Sequence, residues 1–142
     1  DITYRFKIDG EYVGGPSAGA AMTLSTIAAI ENRSVPEDIA VTGTIRGDGT
    51  IGKVGGILEK AEAAGRNDLE TFYVPPEQAN ITYYTRKIDR EVIYPGVYTP
   101  EVEYEQRTFS VNNYTQSKYN MTTEEVSSID ELFNDTLKDN QQ

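Results

Sequence analysis

A chain with neither histidine nor cysteine has few routes to nucleophilic chemistry, and this one lacks both. Ser-His-Asp and Cys-His catalysis, zinc fingers and His-based zinc sites are excluded. If nucleophilic catalysis occurs here, Ser or Thr is the expected nucleophile, and Lys or a carboxylate the expected base. The stretch GGPSAG sets Ser17 where a Gly-rich turn enters a helix. The unpaired N–H groups of a first helical turn, flanked here by Gly15, Pro16 and Ala18, can hold the oxyanion of a tetrahedral intermediate. The same position suits a serine that only caps the helix. Among the lysines at 7, 53, 60, 87, 118 and 138, Lys60 stands out. At ~100° per residue, Ile57, Ala61 and Ala64 form the apolar stripe of a second helix, Glu59 and Glu62 point away from it, and Lys60 lies on its edge. Partial withdrawal from water disfavours a charged amine and frees it to accept a proton. A lysine that lays its methylenes along the core margin and keeps its ammonium in solvent fits that edge equally well.

The elements that must position these residues follow from periodicity. Residues 2–8 alternate, with Ile2, Tyr4, Phe6 and Ile8 on one face, and read as a strand. A Gly-containing loop follows at 10–16. A helix is expected from Ser17, with Ala21, Leu24 and Ala28 buried beneath it. IAVTGTI at 39–45 reads as a buried strand, GDG at 47–49 as a turn, and TIGKV at 50–54 as its antiparallel return. The second helix is expected over about 55–67, with Gly65 helping to end it, and TFYVP at 71–75 is a short strand. Residues 76–122 are rich in Tyr, Asn, Thr and charge, and read as an elaboration with a hairpin around Pro95-Gly96. Ser127 or Ser128 caps a final helix over 129–138, where Ile129, Leu132, Phe133 and Leu137 recur at helical spacing. The pattern predicts an α+β (α/β-like) fold with a mixed β-sheet and packed helices.

At 142 residues the chain has the size of one domain. Its net charge of −10 argues against nucleic acid or an anionic membrane as partner. No run of apolar residues approaches the ~20 needed to cross a bilayer.

GGPSAGAAM, then VTGTI, then IGKVGGILEKAEAA, then a strand ending in VP closely resembles the proteolytic domain of Lon-type serine proteases, especially archaeal forms. The resemblance is specific over residues 2–75 and weak over about 124–137. It implies a fold like the second domain of ribosomal protein S5. It also implies that Ser17 is a nucleophile and Lys60, 43 positions later, its general base, with the Thr42 hydroxyl orienting the lysine. Lys53 is the competing base, but lies in the hairpin rather than on the helix. Two residues depart from the family pattern: Gly14 stands where an acidic residue usually precedes the serine motif, and Thr44 where a glutamate usually follows TG. The family domain has further strands before the serine loop, so the N-terminal portion is expected to be missing.

The resemblance thus implies an ATP-independent serine endopeptidase domain that acts on polypeptides through an acyl-enzyme, without a cofactor. No GxxxxGK[ST] occurs, so no ATP-driven motor is expected on this chain. A ring-shaped homo-oligomer is compatible with the family. Five N-x-S/T sequons, at Asn32, Asn80, Asn113, Asn120 and Asn134, stand where about one is expected by chance, which points to an extracytoplasmic, secreted or membrane-tethered protein with its anchor outside this segment. Two other functions fit parts of the sequence. GGPSAGAAM is also similar to the phosphate loop of kinases acting on sugars and mevalonate intermediates, although that gives Lys60 and Thr42 no task. The tyrosine-rich 76–122 segment would suit a non-catalytic peptide- or protein-binding module of the same fold.

Overall fold

A computed structural model describes Thr3 and residues 15–137 of the chain. The strand expected at 2–8 and the last residue of the expected final helix lie outside the described residues.

The centre of the fold is a three-stranded parallel sheet of order β1-β4-β7, formed by β1 (Ile39–Val41), β4 (Thr71–Val74) and β7 (Thr122–Glu125). The middle strand is apolar on both sides, as burial of both faces demands. Phe72 and Val74 point to one face, where α2 (Ile57–Arg66) and α3 (Val111–Tyr119) contribute Ile57, Ala61, Ala64 and Val111. Tyr73 points to the other, where α1 (Gly19–Ile30) and α4 (Ile129–Thr136) contribute Ala20, Leu24, Ala28, Ile129 and Leu132. The period-2 alternation of β4 thus builds two cores in a helix-sheet-helix sandwich. A short antiparallel pair, β2 (Thr44–Ile45) with β3 (Ile51–Gly52), closes on the α1 side.

Several boundaries differ from the periodicity reading, each for a local reason. The helix at Ser17 opens as a 3-10 turn over Pro16–Ala18, and α1 starts only at Gly19. Three residues per turn instead of 3.6 shift the phase, so Ala20 rather than Ala21 is buried with Leu24 and Ala28. The run at 39–45 divides at Thr42-Gly43 into β1 and β2. At Gly43 a Cβ would stand 2.5 Å from the Ile51 side chain, so only glycine allows this crossing. Gly65 does not end α2. It lies inside the helix, and a Cβ there would meet the Tyr119 ring at 2.3 Å, so its role is close approach of α2 to α3. Asn67 and Asp68, the latter at φ 57°, end the helix instead.

In the 76–122 segment, β5 (Asn80–Tyr94) and β6 (Val97–Ser110) form a long antiparallel ribbon that turns at Pro95-Gly96. The helix α3 that follows was not legible from periodicity, because only Val111 and Thr115 of it are buried. Ser110 caps it, accepting from the Asn113 N–H. Of the two serines expected to cap α4, Ser128 does so, accepting from the Glu131 N–H.

Candidate active site

Ser17 is fixed through its backbone. Its carbonyl accepts the Gly43 N–H at 2.9 Å and the Thr42 hydroxyl at 3.3 Å. Thr42 is buried, and its own N–H donates to the Tyr73 carbonyl, so the pair at 42–43 is an extension of the central sheet. The return bond runs from the Ala20 N–H to the Gly43 carbonyl at 3.0 Å. Gly19 makes this contact feasible, since a Cβ there would lie 3.1 Å from the Ile45 backbone nitrogen. The glycines of GGPSAG therefore have separate tasks: Gly15, at φ 96°, turns the chain into Pro16, and Gly19 lets α1 approach β2.

Lys60 comes from the other side of the sheet, one turn into α2, and is half-buried. Its Nζ donates to the Gly55 carbonyl at 2.6 Å. Ser17, Ala18, Thr42 and Lys60 line one open cavity of about 400 Å³. Its floor is apolar, from Ala40, Val41, Ala64, Leu69 and Phe72. Ala63 and Asn67 complete the wall, and with Lys60 and Ala64 they follow the i, i+3, i+4, i+7 spacing of a single helix face. That spacing was legible in the sequence and would have found these lining residues beside the lysine.

The structure thus brings Ser17, Thr42, Lys60 and Ala18 to one cavity, while Gly15 and Pro16 shape its entrance turn without lining it. The Thr42 hydroxyl is bonded to the Ser17 carbonyl rather than to Lys60. Lys53 is elsewhere, paired with Glu77 in a separate cleft that includes Gly56, Gln78 and Asn80. That lysine holds the Glu77 carboxyl below its ordinary value. Thr44, at the position where a glutamate was expected, is taken up in the β2–β3 pairing.

On an α/β sandwich, a serine at a helix head thus shares one cavity with a helical lysine. The model of the Lon protease (S16) C-terminal proteolytic domain matches residues 12–92, and the chain belongs to that family. Lon protease of Metamycoplasma arthritidis is 31% identical over 90 residues, covering 62% of this chain and 11% of the relative. Lon protease of Clostridioides difficile is 44% identical over 63 residues, covering 44% of this chain and 8% of the relative. The mitochondrial Lon protease homolog of Saccharomyces cerevisiae is 36% identical over 66 residues, covering 46% and 6%. The chain therefore spans about a tenth or less of the length of these relatives. They are bacterial and mitochondrial, so the archaeal leaning of the sequence comparison is not supported.

Proposed function

We propose that this chain is a serine endopeptidase domain in which Ser17 is the nucleophile and Lys60 its general base. The observation that carries the reading is the shared cavity of Ser17, Thr42 and Lys60, formed by residues from opposite faces of the sheet. The Lys60 amine, held by the bond it donates to the Gly55 carbonyl, takes up the Ser17 proton. Ser17 Oγ then attacks the scissile carbonyl. Backbone N–H groups of the serine turn are the proposed donors for the oxyanion. Lys60 returns the proton to the leaving amine, and water hydrolyses the acyl-enzyme. The apolar floor suits an aliphatic or small aromatic substrate side chain. No step uses a nucleotide, so cleavage is proposed to be independent of ATP. The test is phosphonylation of Ser17 by a serine-directed probe, read by mass spectrometry, together with cleavage of a labelled unfolded polypeptide. Loss of both in Ser17→Ala is expected; unchanged cleavage would sink the assignment.

We also propose that the protein works outside the cytoplasm, secreted or tethered to a membrane. All five sequon asparagines, Asn32, Asn80, Asn113, Asn120 and Asn134, are exposed on the folded chain, which supports glycan attachment. Intact-mass analysis of protein from its own cells, before and after deglycosylation, tests this; a mass equal to that of the bare chain overturns it.

A further inference from the structure

The β5–β6 ribbon sorts its residues by face. On one face, the register alternates Lys87 with Glu103, Asp89 with Glu101, and Thr85 with Glu105, a charged surface suited to water. On the other, Tyr84, Ile88 and Val92 of β5 stand beside Val102, Tyr104 and Tyr98 of β6. These six are 65%, 51%, 60%, 38%, 68% and 54% exposed, in that order. Among the described residues, the domain core meets the ribbon only at its base, through Ile81 and Phe109, which belong to the charged face. A two-stranded ribbon is marginal in water without a layer over its apolar side.

We infer that a second copy of this chain supplies that layer, two ribbons packing face to face through their apolar sides. The six side chains expose roughly 600 Å² per copy, so a pair covers about 1,200 Å², where stable interfaces begin. A patch of that size is at the upper end of what monomers expose. Charge selects the geometry. The two cations on the apolar face are Arg86 and Arg90, opposite Tyr104 and Pro100 in the register. A twofold axis running across the strands would set Arg86 of one copy over the partner's Arg90. An axis running along the strands sets β5 of one copy over β6 of the other, with Ile88 over the partner's Val102 and Arg86 over the ring of the partner's Tyr104. The second arrangement removes the like-charge contact. The chain's net charge of −10 opposes an anionic lipid surface as occupant. Half of the six apolar residues, those on strand β6 (Val97–Ser110), lie beyond the residues matched to the family.

Sedimentation velocity of the 142-residue chain across a concentration series tests the pairing. A monomer–dimer equilibrium is expected, weakened about a hundredfold or more by Ile88→Lys, which buries a charge at the centre of the interface. Val102→Lys should act likewise, and Lys87→Ala on the charged face should leave the constant unchanged. Circular dichroism of each variant separates lost pairing from lost folding. The chain has no cysteine, so Ile88→Cys and Val102→Cys chains can be mixed and linked with a short bismaleimide. Faster cross-linking of the mixture than of either cysteine chain alone supports the geometry. A monomer at all concentrations, a dimer indifferent to both lysine variants, or a monomer that instead sediments with neutral phosphatidylcholine vesicles overturns the proposal.

Discussion

The hydroxyl of Thr42 donates to the main-chain carbonyl of Ser17 at 3.3 Å, across 25 residues of sequence. The Gly43 N–H reaches the same oxygen at 2.9 Å, so two adjacent residues at the end of β1 hold the serine turn against the sheet. Thr42→Val keeps the shape and removes one donor, leaving that carbonyl on a single bond. We expect a stability loss of about 1 kcal/mol in urea unfolding and a fall in kcat of about tenfold with KM little changed, because the serine backbone is freed. Thr42→Ser restores most of both. A loss in Thr42→Ser with Thr42→Val unaffected would show that the methyl, not the hydroxyl, matters.

Lys60 and Lys53 are separated by their partners. Lys60→Met should lower kcat on a peptide substrate by about 10²–10⁴, the usual contribution of a positioned base, while unfolding stability changes by less than about 0.5 kcal/mol at a half-exposed site. Lys60→Arg should be equally inactive, since a guanidinium does not give up its proton. Lys53→Met should retain full activity, its ammonium being bound to Glu77 in another cleft. Activity lost with Lys53 and kept without Lys60 would reassign the base.

Gly65→Ala tests the joint that carries Lys60. An added methyl meets the Tyr119 ring at 2.3–2.9 Å and must push α3 from α2 or turn the ring. Overpacking of this kind costs about 1–3 kcal/mol, partly offset by the ~1 kcal/mol that alanine gains over glycine in a helix. A lower urea midpoint is expected, with recovery in the double variant Gly65→Ala, Tyr119→Leu. A stabilised Gly65→Ala protein would place the two helices further apart than described.

The same joint predicts a pH dependence. Tyr114 and Lys118 of α3 both donate to the Glu62 carboxylate of α2, and Lys118 also donates to the Tyr114 hydroxyl. The Tyr114 bond first and Lys118 second hold Glu62 below its ordinary value of 4.5. A depressed acid contributes stability above its unfolded value, lost as pH falls through the folded one, so this part disappears in acid. The Tyr114 bond, then Glu62, raise Lys118 above its ordinary 10.5. A raised base contributes fully below its unfolded value and loses the contribution as pH rises through the folded one, so that part disappears in strong alkali. In urea unfolding followed from pH 3 to 12, Lys118→Met should soften the acid limb, where the Tyr114 bond remains, and flatten the alkaline limb above about pH 10.5. Unaltered limbs would show that the cluster contributes nothing.

How much of this was legible in the chain follows from the range of the interactions. The missing His and Cys limited the chemistry to Ser, Thr, Lys and carboxylates, and that is a matter of composition alone. The stripes of α2 and α4, the alternation of β4, and the Pro-Gly turn of the ribbon are local, and local spacing reported them. The Gly43 break, the role of Gly65 and the existence of α3 were not readable, since each depends on a residue distant in sequence: Ile51 against Gly43, Tyr119 against Gly65, and the Thr115–Thr123 contact that anchors α3 to β7. For Ser17 and Lys60 the sequence supplied residue types and a 43-position spacing, compatible with a cap and a surface lysine as much as with a pair. Only the packing of α1 and α2 on opposite faces of one sheet, with Thr42 at its edge, put both side chains on one cavity, because a parallel sheet must bury both faces under helices and so fixes each helix against the strands between them.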